Sequence, residues 1–203
     1  LNDVEVRSVQ NIELNDANRD EAFADVIIFQ PELNREFPLQ ITLLHKDDQW
    51  QIMRISNFKE YVAEIAAARR VQLDDYLAKT AEIISRHESA IRDAEQKYGT
   101  ILSIGNLAQD KTREDLKNLM NDVIKKDWEE RKQEIFTLHV PKDAETLQSL
   151  YLKICDLSIS ATEDYAKWMD DKNAATIKSA EEKIHQSQTL MTEAAAIAKR
   201  MTS

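Results

Sequence analysis

Hydrophobic and polar positions alternate with a period of two in the first part of the chain, residues 1–57, and this pattern predicts β-strands. In one segment, for example, Leu39, Ile41 and Leu43 fall on the same face. Stretches rich in Asn and Asp separate the segments and are typical of turns. The alternation is found in residues 4–7, 22–29, 37–44 and 49–55. We therefore predict an antiparallel β-meander, which needs a helix against its apolar face.

From residue 58 onward the hydrophobic period changes to 3.6, which predicts helices. The first helical stripe is unusually long and reaches residue 98, and we expect Gly99 and Gly105 to bracket the break that follows it. Pro141 and a polar hinge at residues 170–173 separate the later stripes. We predict a small antiparallel meander over residues 1–57 followed by an antiparallel bundle of long α-helices over 58–203, an α+β fold.

The composition of the chain excludes several folds and classes of function. Two Gly and three Pro among 203 residues exclude a Gly-rich nucleotide-binding loop and an all-β sandwich. The formal net charge of −10 argues against nucleic acid as a partner, because nucleic acid demands a basic surface. No run of 18 apolar residues is present, so we expect no transmembrane segment in this chain.

The chain begins at Leu1, inside a segment that already resembles a strand. We therefore expect the meander to be truncated at its start, which leaves room for a signal peptide or a lipid-anchor cysteine further upstream. The single cysteine, Cys155, excludes an internal disulfide and a multi-cysteine metal site. We expect it to act as a small buried hydrophobe.

Two motifs resemble catalytic or metal-binding patterns but lack the rest of each pattern. Glu182 and His185 form a Glu-x-x-His spacing, yet a di-iron bundle needs a second copy. Ser56 and Lys59 match Ser-x-x-Lys without the companion Lys-Thr-Gly, so we interpret Ser56 or Asn57 as a helix cap. We predict no catalytic residue, no metal site and no cofactor.

The aromatic residues are expected to pack in the core and the charged residues to face solvent, so neither group indicates a catalytic site. We expect the three tryptophans, Trp50, Trp128 and Trp168, to pack in the core. A mixed run of charges is expected to form a solvated helix face with i,i+4 pairs: Lys125, Lys126, Asp127, Glu129, Glu130, Arg131, Lys132 and Glu134. A weak candidate for an apolar ligand pocket between sheet and helices consists of Leu43, Trp50, Ile52 and Tyr61.

Two stretches resemble known kinds of protein. Residues 22–58, which end in Gln-Trp-Gln-Ile-Met-Arg-Ile-Ser-Asn-Phe, resemble the closing strands of uncharacterised secreted bacterial domains and of nuclear-transport-factor-2-like or cystatin-like domains. Residues 140–201 resemble helical regions of uncharacterised bacterial lipoproteins. These resemblances imply a bacterial protein with an extracytoplasmic location, periplasmic or at the cell surface, and they imply no catalytic residue.

The leading functional hypothesis is a binding or protein-interaction module without catalytic activity. Long helices with few loops leave little room for a catalytic site, because such sites concentrate on loops. One alternative is a carrier or enzyme with an apolar small-molecule pocket, and another is an assembly module that forms a homodimer through the long helix. The expected partner is accordingly a protein or a small apolar ligand.

Overall fold

A computed structural model describes residues 4–202 and confirms the α+β class. A four-stranded antiparallel sheet comes first, and helices form the rest of the chain. The strands are β1 (Glu5–Asn15), β2 (Asn18–Gln30), β3 (Arg35–Lys46) and β4 (Gln49–Ile55). The helices are α1 (Phe58–Ile104), α2 (Asp110–Leu119), α3 (Lys125–Thr137), α4 (Glu145–Asp171) and α5 (Ala174–Met201), and a π-helical turn at Met120–Ile124 joins α2 to α3.

The sheet has the strand order β1-β2-β3-β4, so the predicted meander is confirmed. The β3–β4 hairpin turns through Asp47 and Asp48, whose φ angles are 51° and 59°. Two-residue hairpin turns of this kind need positive φ at both positions, and Asp tolerates that conformation better than most residues. The predicted turn at residues 46–48 therefore has the chemistry that the hairpin requires.

The chain divides into two compact units, Leu1–Gln72 and Leu73–Ser203, and the division falls inside α1. The change from strands to helix is at Phe58, where the sequence pattern predicts it. In the first unit, the early turns of α1 cover the apolar face of the sheet. Tyr61 packs edge-on against Phe37 with ring centroids 5.7 Å apart. Because these turns bury the sheet, the first unit includes the start of the long helix.

The start of α1 is attached to the sheet through Asn57. The side chain of Asn57 accepts a hydrogen bond from the Gln40 backbone N–H at 2.9 Å and donates one to the Pro38 carbonyl at 2.9 Å. Ser56 N–H also donates to the Gln40 carbonyl. The carboxamide of Asn57 thus continues the backbone ladder of β3 beyond the end of β4. Its bonds go to β3, whereas the sequence pattern suggested a cap on the helix.

The second unit packs α1, from Leu73 onward, with α2–α5 around one apolar core. The predicted break at Gly99 is wrong, because α1 continues through Gly99 and ends at Ile104. Some of the buried polar groups in this unit form a chain of hydrogen bonds between helices. The Tyr76 hydroxyl donates to the Gln148 side-chain oxygen at 2.9 Å, and the Gln148 amide donates to the Ile135 carbonyl at 2.8 Å. This chain of bonds links α1, α4 and α3.

Candidate functional site

The helical unit contains a cavity of about 760 Å³. This volume lies within the range of about 300–1000 Å³ that is usual for small-molecule sites. Side chains from four helices line it, and most of them are apolar. They are Ile84, Glu88, Ile91, Arg92 and Glu95 of α1, Trp128, Arg131 and Ile135 of α3, Tyr151, Ile154 and Cys155 of α4, and Met191, Thr192 and Ala195 of α5.

A second cavity of about 380 Å³ adjoins the first and shares three of its lining residues, Ile84, Glu88 and Tyr151. Its other lining residues continue along α1 and α5, and they include Leu77 and Ala198. On α1, the lining residues of the second cavity lie nearer the start of the helix than those of the first, and on α5 they lie nearer its end. The two cavities therefore lie side by side along these two helices.

Arg131 is the buried charged residue of the larger cavity, with only 7% of its surface exposed. Its guanidinium group lies over the ring of Trp128, 4.0 Å from the centroid. Its Nε and Nη2 atoms are buried without a hydrogen-bond partner. Burial lowers the pKa of Arg131, and the negative charge of Asp127 opposes that shift. Because arginine keeps its proton in proteins, a positive charge lies in the wall of the cavity, and the protein itself covers the two unpartnered nitrogens.

Asp127 and His87 form a buried pair behind this arginine. The His87 Nδ1 and Asp127 Oδ1 atoms are 2.7 Å apart, and the His87 side chain is 5% exposed. The other Asp127 oxygen, Oδ2, is 3.7 Å from Arg131 Nη2, which is longer than a hydrogen bond. Asp127 therefore balances the charge of Arg131 in part, while its strong hydrogen bond goes to His87.

The π-helical turn at Met120–Ile124 sets which residues of α3 face the cavity. Leu116 and Trp128 are twelve residues apart and both are buried. In a continuous α-helix at about 100° per residue, Trp128 would lie about 120° away from the stripe of Leu116. The π turn accommodates one additional residue and reduces this offset to about 20°. Trp128, Arg131 and Ile135 consequently face the interior.

Cys155 is 1% exposed, so the expectation of a buried cysteine is confirmed. Burial raises the pKa of its thiol to about 11, although the positive charge of Arg131 opposes that shift. The thiol is thus protonated near neutral pH, unlike the thiolate of a catalytic cysteine. Within residues 4–202, no group of three or more His, Cys, Asp or Glu side chains is arranged to hold a metal ion.

The residues of the pocket predicted from sequence are divided between two places in the sheet unit. Leu43 and Ile52 are cross-strand partners, and Trp50 is paired with His45 one step further along the same face. Tyr61 lies against Phe37, about 20 Å along β3 from Leu43 at about 3.3 Å per residue. Their role in binding a ligand stays a prediction.

The packing prediction is wrong for Trp50 and right for Trp128. Trp50 is 46% exposed and Ile52 is 64% exposed, because the buried cluster on this face ends at Ile41 and Ile55. Trp128 is 8% exposed in the core of the helical unit.

The predicted solvated face of α3 is wrong for Arg131 and Asp127, both of which point inward. Lys132 does lie at the surface, where it pairs with Asp156 at 2.6 Å. The signal that could have identified Arg131 is its spacing, since it lies three residues after Trp128 and four before Ile135. Those intervals put an arginine on the apolar stripe.

Comparison of the chain with protein-family models, with curated proteins and with solved structures gives no match. Among residues 4–202, no helix combines the length and the apolar character needed to cross a membrane.

Proposed function

We propose that this chain is a non-catalytic binding protein that holds a small, largely apolar molecule in the cavity of its helical unit. The observation that carries the proposal is the cavity itself, about 760 Å³ in volume and walled mainly by apolar side chains from four helices. A concave, mainly apolar space of this size that is open to solvent is the usual form of a small-molecule site.

The polar groups near the cavity support binding more than catalysis. The Cys155 thiol is held protonated, and Arg131 carries a positive charge but no nucleophile. His87, the buried titratable imidazole of this region, does not line the cavity. The protein is therefore proposed to bind its ligand without transforming it. Extracytoplasmic location and homodimer formation stay predictions of the sequence.

The proposal is tested with Nile red, an uncharged dye whose fluorescence rises in apolar surroundings. We expect saturable binding by the wild-type protein, with one dye for each chain. Ala195→Phe fills part of the cavity and should weaken binding at least about tenfold. Ala196→Phe is the matched control, because Ala196 is the next residue on α5, is exposed and does not line the cavity.

Two further measurements decide the outcome. Native mass spectrometry of the purified protein should show a bound small molecule or, after addition of Nile red, a complex of one chain with one dye. Nile red should also slow alkylation of Cys155, which lines the same cavity. Equal dye binding by both phenylalanine variants and the wild type, with unchanged alkylation of Cys155, would overturn the proposal.

A further inference from the structure

We propose that the sheet unit carries a docking surface for an amphipathic helix of a partner protein, with an apolar stripe and with Lys or Arg residues beside it. The surface is the part of the apolar sheet face that α1 leaves uncovered, and we call it the open face. It consists of Ile12 and Leu14 of β1, Leu43 of β3, and Trp50 and Ile52 of β4. The proposal goes beyond the cavity of the helical unit and does not depend on it.

The open face is one continuous apolar surface. Leu14 is the cross-strand partner of Ala22, Ala22 of Leu43, and Leu43 of Ile52, so these four side chains form a row across the whole sheet. Leu14 is 59% exposed and Ile52 is 64% exposed. A sheet with an apolar face buries that face against another layer, and an exposed apolar patch marks a site of interaction.

The dimensions of the open face suit a single helix. Four strands at a spacing of about 4.8 Å make it about 14 Å wide, and from Ile41 to His45 it extends about 13 Å along β3. An α-helix with its side chains is about 10–12 Å in diameter. The first turns of α1 already pack on the other half of the same face through Tyr61, Ile65 and Ala68. A second helix on the open face would continue that layer.

The charges at the border of the open face indicate which kind of helix it binds. The border is formed by the β1–β2 and β3–β4 turns, which lie at the same end of the sheet. Its exposed acidic residues outnumber its exposed basic ones. The acidic residues are Asp16, Asp20, Asp47 and Asp48, and the basic residues are Arg19 and Lys46. Within residues 4–202 these aspartates form no ion pair, so Lys or Arg residues beside the apolar stripe of a partner helix would complement them.

A second copy of this chain is a poorer occupant of the open face. It would bring the same excess of aspartates to the border, and its formal net charge of −10 adds to the repulsion. It would also present a sheet, whereas the covered half of this face is packed against a helix. Both arguments favour a basic amphipathic helix.

The test measures binding of three labelled synthetic peptides to the full chain by fluorescence anisotropy. Each has about 18 residues, which is long enough to form a helix. Two share a stripe of leucines at helical spacing, flanked by Lys in one and by Glu in the other, and the third is a scrambled form of the Lys peptide without the stripe. We expect one Lys peptide to bind each chain, at least about tenfold more tightly than either of the other two peptides.

Three variants locate the site. Ile52→Gln interrupts the apolar row and should weaken binding of the Lys peptide at least about tenfold. Val71→Gln is the matched control, because Val71 is 68% exposed and lies on α1 outside the open face. The double variant Asp47→Asn, Asp48→Asn should reduce the preference for the Lys peptide over the Glu peptide at least about threefold. It keeps the turn, since Asn also accepts the positive φ of these positions.

Each contrary outcome overturns a different part of the proposal. Equal binding of the Lys and scrambled peptides would exclude a helical stripe as the recognised feature, and equal binding of the Lys and Glu peptides would exclude the basic partner. Unchanged affinity in Ile52→Gln, shown by circular dichroism to be folded, would exclude the open face. In sedimentation velocity, a wild-type dimer that Ile52→Gln dissociates would assign this face to a second copy instead. Binding of Nile red in the cavity is measured separately, so the proposed function stands or falls by itself.

Discussion

Gly105 and Thr112 approach so closely that a Cβ atom at position 105 would collide with the Thr112 hydroxyl group. Thr112 is buried and its hydroxyl donates to Gln109 at 3.1 Å, so it has little freedom to move away. Gly105, the first residue after α1, is thus required by the segment that follows it.

The two glycines of the chain should respond in opposite ways to alanine. Gly99 lies inside α1, and a Cβ atom there meets no neighbour within 4 Å. We expect Gly99→Ala to stabilise the protein by about 0.5–1 kcal/mol, because alanine is the better helix former. Gly105→Ala should destabilise it by about 1–3 kcal/mol through overpacking. Urea unfolding of the two variants measures both signs, and equal shifts would contradict the assignment.

The coupling of Asp127 to Arg131 can be measured by a double-mutant cycle. Asp127→Asn should cost about 3–5 kcal/mol, because it leaves a buried guanidinium without its counter-charge. In Arg131→Met, the same substitution should cost less by at least about 1 kcal/mol. The free energies of unfolding of the four proteins give the coupling, and additive costs would mean that the two side chains act independently.

The raised pKa of the Cys155 thiol predicts a loss of stability in alkaline solution. Its pKa is raised from 9.0 to about 11 in the folded protein, so the folded state binds the proton more tightly than the unfolded state does. The contribution is fully present below pH 9 and disappears as the pH rises through about 11. At about 1.4 kcal/mol per pKa unit, the loss is at most about 3 kcal/mol.

The matched variant for this measurement is Cys155→Ala. Its free energy of unfolding should fall less steeply between pH 9 and pH 11 than that of the wild type. The buried tyrosines, such as Tyr76 with a pKa raised by burial to about 12, titrate equally in both proteins and cancel in the comparison. Parallel pH profiles would show that the thiol ionises freely in the folded state.

The lowered pKa of Asp164 predicts a loss of stability in acidic solution. Hydrogen bonds from Lys183 at 2.5 Å and Ser179 at 2.7 Å hold the pKa of its carboxyl below the usual 3.8. The stabilisation is therefore present above about pH 3.8 and is lost as the pH falls through the lowered pKa. We expect Asp164→Asn to cost about 1 kcal/mol at neutral pH.

The control for Asp164 is Asp170→Asn on the same helix, which breaks a more exposed pair with Lys117. It should cost clearly less than Asp164→Asn. The difference between wild type and Asp164→Asn should shrink as unfolding is measured at pH values below about 3.8. A difference that is constant with pH would mean that the bonds to Lys183 and Ser179 do not depend on the carboxylate charge.

The fold was predictable from the sequence where burial follows a regular period. The change of period at Phe58 predicts the start of α1, and the meander follows from four alternating segments joined by turns. The role of Asn57 was not predictable, because its partners, Pro38 and Gln40, become neighbours only when the sheet forms.

The candidate site was harder to predict from the sequence than the fold was. Its walls come from four helices, and no local pattern indicates which residues of α1, α3, α4 and α5 share a space. Trp128 was predictable as a core residue. Arg131 was not, because it is a charged residue within a run of charged residues that lie mostly at the surface. Its inward direction depends on tertiary structure and on the π turn, which shifts the helical period in the middle of the segment.

The π turn at Met120–Ile124 also determines which insertions and deletions this part of the chain can tolerate. Removal of one residue between Leu116 and Trp128 would restore a regular α-helix and still keep the stripe in phase, so the fold could survive it. Removal of one residue between Trp128 and Ile135 would rotate the downstream residues by about 100° and break the wall. In any related chain, a Leu116–Trp128 spacing of eleven would thus mark a straight helix, and a spacing of twelve would mark the π turn.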